Sequence, residues 1–153
     1  MSKLDIKQII KGFYDRTLPK EEWTHQAHLV IGLDSILNIG LEESMPPIRE
    51  GIKGYNVASG TPNTDTGGYH ETITIFFLHA LQAFVAQNGD VGGLEELVER
   101  LEESLLTKRP FIFNFYNKEL LFTVHARHNW VEPNIQPLSA LAEMVLYPEA
   151  VAV

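Results

Sequence analysis

The stretch GGLEELVERLEESLL, residues 92 to 106, places Leu94, Leu97, Val98, Leu101 and Leu105 at offsets of three, four, seven and eleven from the first leucine. A strand has period two and scatters these residues over both faces, whereas a helix of about 3.6 residues per turn gathers them on one. The glutamates between them fall on the opposite face, so the segment predicts an amphipathic helix with one side committed to a core. The same apolar period recurs along most of the chain. That recurrence, more than any composition figure, restricts the fold to helices packed on helices.

Leu4, Ile6, Ile9, Ile10 and Phe13 predict a helix over 3–15, opened by a capping box between Ser2 and Asp5. Its Lys3, Lys7 and Lys11 form a stripe that reads as a solvated face. Proline and paired glutamates in TLPKEEW predict one short helical turn. Thr24 is the expected N-cap of a helix that runs to Ile39 and stops at Gly40. Leu29, Val30, Ile31, Leu33, Ile36 and Leu37 surround most of that helix, which predicts burial on several sides. A further helix is expected over 41–56, with Pro46 and Pro47 either starting or kinking it.

Residues 57–68, VASGTPNTDTGG, read as a mobile, turn-rich loop without the GK[ST] ending of a phosphate-binding loop. Gly68 with Glu71 is the expected N-terminal cap of a long helix ending near Gly89. Beyond the leucine-patterned segment, FIFNFY is expected to pack irregularly, with helices around 118–131 and 138–146. The expectation is an all-α single domain spanning residues 1–153, a bundle of about five to seven helices. A chain of 153 residues is long enough to bury its own core.

Twenty acidic against twelve basic residues give a net charge of −8, which argues against nucleic acid as a partner, because that binding relies on Lys and Arg neutralising phosphates. The chain has no cysteine, so disulfides, thiolate metal sites and cysteine nucleophiles are excluded, and any metal would rest on His, Asp or Glu. No segment approaches the roughly 20 apolar residues that span a bilayer, and MSKLDIKQIIKGF lacks a secretory pattern. No stable membrane insertion and a cytoplasmic location are therefore expected. The oligomeric state stays open, a homodimer included.

His25 and His28 lie three residues apart, about 300° around a helix, and so share nearly one face. Gly32, one turn further, removes a side chain from that face and lets a helix or ligand come close. His70 opens its own helix beside Glu71, where unpaired N–H groups and the positive end of the macrodipole favour an anion. Were the two helices to meet near their N-termini, His25, His28 and His70 would offer three nitrogens with an open position, the pattern of a catalytic metal site. Glu71 would then be a fourth ligand or a general base on metal-bound water. His79 lies about half a turn out of phase with His70 and is expected at the core boundary. His125 and His128 repeat the three-residue spacing near Arg127 and stand in reserve. The competing structural reading makes Thr24 a cap, has His25 and His28 hydrogen-bond to loop carbonyls, and has Glu71 reciprocate a cap at Gly68.

With WTHQAHL, GGYHETIT and LLFTVHARHNWVEPNIQPL in view, the chain resembles, over most of its length, a family of small bacterial proteins carrying FTHxxHL, YHETxT and a C-terminal EPDxxPL-like stretch. The resemblance implies a helical fold and supplies no mechanism, since that family has no established activity. Matched residue by residue, it marks Thr24, His25 and His28, then Tyr69, His70, Glu71 and Thr72, then Arg127, Glu132 and Pro133. Trp23 stands where phenylalanine is usual, and Asn134 replaces an aspartate, which weakens an essential role for a carboxylate there. The Pro46–Pro47 pair is also atypical.

Three functions remain open. In the first, His25, His28 and His70 hold a divalent transition metal such as zinc and Glu71 moves a proton, as in a small-molecule hydrolase. In the second, a metal-free module binds a small polar or anionic ligand through the same histidines with Thr24, Tyr69 and Arg127. In the third, a partner protein meets the aromatic segment Phe111–Tyr116, a stretch more often simply core.

Overall fold

The computed structural model describes residues 3–89 and 91–147, with side chains from residue 5 onward. Among them are seven α-helices: α1 (Lys3–Asp15), α2 (His25–Ile39), α3 (Leu41–Ala58), α4 (Glu71–Gln87), α5 (Leu94–Glu102), α6 (Lys118–Leu121) and α7 (Val124–His128). Four short 3-10 helices join them, at Lys20–Glu22, Leu105–Thr107, Arg109–Asn114 and Leu138–Glu143, and no strand occurs among the described residues. The fold is all-α, as the apolar period requires. No helix among the described residues is long and apolar enough to cross a membrane.

α2 and α4 form the centre because each is apolar around most of its circumference. Leu29, Ile31 and Leu33 of α2 and Phe76, Leu81 and Phe84 of α4 are buried to within 1%. Gly32 makes their approach close: a Cβ there would lie 2.7 Å from Leu81 Cδ1 and 3.2 Å from Leu78 Cδ2. α3 packs on both central helices, and α1 lies across α2 and α3. The C-terminal segments close over α4; the 3-10 turn Arg109–Asn114 buries Phe111 and Ile112, and Phe115 and Tyr116 are buried just after it.

Several local expectations are met. Thr24 Oγ1 accepts from Ala27 N at 3.2 Å, and Gly40 ends α2 with φ +86°. The capping box at Ser2 lies outside the described residues. Pro46 and Pro47 neither start nor end α3, which runs through them. Proline frees the carbonyl four residues earlier, here those of Glu42 and Glu43, and all four residues are exposed, so water satisfies what the helix does not.

Other expectations are corrected. The helix expected over 118–131 is broken into α6 and α7 because Asn117 and Thr123 each cap a new start, Asn117 Oδ1 accepting from Leu120 N and Thr123 Oγ1 from Ala126 N. The helix expected over 138–146 is a 3-10 turn at Leu138–Glu143. The cap of α4 is His70, not Gly68: His70 is extended and its Nδ1 accepts from Ile73 N at 3.2 Å. Gly68 instead takes φ +78°, against Pro62 and Asn63, where a Cβ would lie 2.6 Å from the Pro62 carbonyl. The loop ahead of it is internally bonded. Asn63 Oδ1 accepts from Tyr69 N and Asn56 Nδ2, and its Nδ2 donates to the Lys53 carbonyl.

Thr72, fully buried, ties α4 to the C-terminal segments. Its hydroxyl lies 2.8 Å from the Ala126 carbonyl and 2.7 Å from that of Asn129, and accepts from Val131 N. Thr72→Val preserves the shape and leaves the Val131 N–H without its partner, which is expected to cost about 1–3 kcal/mol. Urea denaturation checks this, with Thr72→Ser retaining most of the stability. An unchanged midpoint in the valine variant would mean that water replaces the hydroxyl.

Candidate functional site

The residues marked in the sequence divide between two pockets. The larger, a cavity of about 410 Å³, lies between α2 and α4 and is closed by the 109–113 turn and by Leu121 and Phe122. Its walls are aliphatic and aromatic, Leu29, Ile52, Phe77 and Leu81 among them, and its polar groups are confined to His25, His28, Thr74 and Arg109. His25 and His28 do share a face, as their spacing predicts. Gly32 also lines the cavity, although the space it leaves is taken largely by Leu78 and Leu81.

A carbonyl can only accept, so each contact between an imidazole and a carbonyl fixes which ring nitrogen carries the proton. His25 donates from Nε2 to the Leu106 carbonyl at 2.8 Å, leaving Nδ1 as an acceptor. His28 donates from Nδ1 to the Thr24 carbonyl at 2.7 Å and stacks on Trp23 at 3.7 Å, leaving Nε2. His70 has nothing left: Nε2 donates to the Leu121 carbonyl and Nδ1 accepts from Ile73 N. The expected His25–His28–His70 metal set is therefore not assembled. Both ring nitrogens of His70 are spent inside the fold, and no group of three or more His, Asp or Glu among the described residues is placed to hold a metal ion.

Burial pushes all three imidazoles below their ordinary pKa, His28 down to about 4, with the carbonyl hydrogen bonds opposing it only in part. Arg109 adds to the depression at His25 and His28. The histidines at the cavity are thus neutral at neutral pH.

The smaller pocket, about 300 Å³, lies between α3 and the loop before α4 and is lined by Arg49, Lys53, Tyr69, Glu71, Arg127 and His128 together with Asn63 and Thr64. Three expected residues, Tyr69, Glu71 and Arg127, meet here. Glu71 accepts from Arg49 Nε at 2.9 Å and Nη2 at 2.7 Å, and from the Tyr69 hydroxyl. Burial works to raise the Glu71 pKa, but the hydrogen bonds from Arg49 and Tyr69 outweigh it and hold the carboxyl below its ordinary value. So occupied, it is a poor general base. Arg127 Nη1 donates to the Gly68 and Tyr69 carbonyls.

Thr24 lines neither pocket and acts as a cap. His79 sits at the core boundary beside Trp130, as its phase predicts. Of the reserve pair, His128 joins the smaller pocket and bonds Asp65 at 2.8 Å, whereas His125 is exposed and lines neither. Arg49, Lys53 and Arg109 are the residues that sequence reasoning misses. The signal for the first two is their spacing of four on one helix of an acidic chain. No family model, curated protein or solved structure matches the chain.

A buried neutral histidine binds fewer protons than its unfolded counterpart, so stability from this source is complete above the unfolded value of about 6.5 and is lost as pH falls toward the folded values. The melting temperature is expected to fall between pH 7.5 and 5.5, above the range where carboxylates titrate. His28→Gln should flatten that slope. Thermal melts in matched ionic strength check it, and a curve flat over this range in the parent protein would show that the imidazoles are not held neutral.

Proposed function

We propose that the protein is a metal-free binding protein for a small amphipathic organic acid, with the hydrocarbon body in the α2–α4 cavity and the acidic head at Arg109, His25 and His28. The observation that carries the reading is the composition of that cavity: about 410 Å³ walled by Leu, Ile and Phe, with its few polar groups drawn from α2, α4 and the turn at Arg109. Small-molecule sites have this size and pattern, a broad apolar wall with a few convergent polar groups that orient the ligand. Arg109 is exposed and forms no side-chain hydrogen bond or ion pair among the described residues, so its charge is available to a carboxylate. His25 and His28 line the same cavity, each with one ring nitrogen left over, and a bound carboxylate would raise their proton affinity and favour the protonated, donating form. Binding by this arrangement takes up a proton and strengthens toward lower pH.

Displacement of a fluorescent apolar probe by straight-chain carboxylates of increasing length tests the reading. Each added methylene contributes about 0.8 kcal/mol when buried, so affinity should rise about fourfold per carbon until the cavity is full. Arg109→Gln should weaken the acids and leave the matching alcohols unchanged, and Ile73→Trp, which narrows the cavity, should weaken both. Failure of the whole series to bind would overturn the reading, as would one equivalent of tightly held metal in the purified protein.

A further inference from the structure

We infer that the smaller pocket is a second, independent site, for the dianionic phosphate group of a small phosphorylated molecule. The chain carries a net charge of −8, yet the walls of this pocket hold Arg49, Lys53 and Arg127 against the single carboxylate of Glu71. Two positive charges are left uncompensated. A concentration of one sign against the charge of the whole molecule is a local field that selects an anion, and two excess charges match a dianion better than a monoanion.

The three cations are also held in place by bonds that do not exhaust them. Glu71 grips Arg49 through Nε and Nη2 and leaves Nη1. The Gly68 and Tyr69 carbonyls take Arg127 Nη1 and leave Nε and Nη2. Lys53 Nζ has no hydrogen bond or ion pair among the described residues and lies 5.3 Å from the centre of the Tyr69 ring. No buried side-chain nitrogen or oxygen among the described residues lacks a partner, so the unused N–H groups are those open to water or to a ligand. Donors fixed beforehand lose little freedom on binding. Glu71 is consumed in fixing Arg49, and the Asp65 carboxylate, which does not line the pocket, is hydrogen-bonded to His128. The loop that forms the far wall is pinned by Asn63 to α3 and to Tyr69. Charged donors at three points suit a compact oxyanion, and the absence of aliphatic side chains from the lining separates this site from the α2–α4 cavity.

Titration calorimetry with inorganic phosphate and with glycerol phosphate, at constant ionic strength and with chloride as the control anion, tests the site. Both phosphates should bind at pH 7.5 and weaken as salt rises. Binding of both should weaken at pH 5, where each has become largely a monoanion, the ester having its second ionisation near 6 and inorganic phosphate a higher one. Lys53→Gln removes a charge whose ammonium makes no hydrogen bond or ion pair among the described residues and should weaken binding about fivefold or more. Ile73→Trp, which narrows the apolar cavity, should leave phosphate binding unchanged. Tighter binding of glycerol phosphate than of phosphate identifies a phosphorylated metabolite as the occupant, and equal binding identifies phosphate itself; either supports the site. Absence of heat with both, equal competition by chloride, or an unchanged affinity in Lys53→Gln would overturn it.

Discussion

Four consecutive side chains at the start of α4, Tyr69 to Thr72, together tie that helix to α3 and to the C-terminal segments. Glu71 grips Arg49 on α3 and accepts from the Tyr69 hydroxyl, His70 engages the carbonyl of Leu121 while capping its own helix, and Thr72 engages the carbonyls of Ala126 and Asn129. Arg127 closes the circuit from α7 back to the carbonyls of Gly68 and Tyr69. The short C-terminal helices could not persist alone, since α6 and α7 have four and five residues and an isolated helix of that length is not stable in water. They stand because the polar turn of α4 supplies partners that the segments themselves cannot. Buried polar groups of this kind fix a unique arrangement only when every member is satisfied, and none among the described residues is left without a partner.

The same turn separates the two pockets. On α3, Ile48 and Ile52 face the apolar cavity, while their neighbours Arg49 and Lys53, about 100° further around the helix, face the cationic one. On α4, Ile73 and Thr74 line the first, and Glu71, with Tyr69 just ahead of the helix, lines the second. The contact between α3 and α4 is therefore a partition, with the Arg49–Glu71 pair on its polar side. Two chemically unlike spaces follow from one helix pair because adjacent residues on a helix diverge in direction.

The features that depend on neighbouring residues alone are the ones legible in the sequence. The bounds of α1 and α2 follow from apolar period and from Thr24 and Gly40, signals that act within a few residues. The cap at His70 is harder to read, because a glycine and a glutamate three residues apart satisfy the capping pattern equally well at Gly68, and only the positive φ of Gly68 decides between them. The break between α6 and α7 is hidden by continuous helical propensity, which two capping side chains override. The Arg49–Glu71 pair joins residues 22 apart, and no spacing rule reaches that far. The cavity is least legible of all. It is a space rather than a residue, and of its lining only His25, His28 and Gly32 leave a mark in the sequence.

Histidine chemistry depends on which lone pairs the fold leaves over, and that is where the likeness among the three motif histidines ends. All three are buried in part and depressed in pKa, and all three donate to a backbone carbonyl. His70 also accepts from Ile73 N, so its ring is closed on both sides and its role is to orient α4 against the segment ending at Leu121. His25 and His28 each keep one nitrogen free of a protein partner among the described residues, and both line the same cavity. A neutral imidazole with one free acceptor, beside an arginine without an ion pair, responds to an acidic ligand by taking up a proton. The tie that takes His70 out of any shared metal site is thus the same tie that completes the scaffold, while the pair on α2 retains the capacity to meet a ligand.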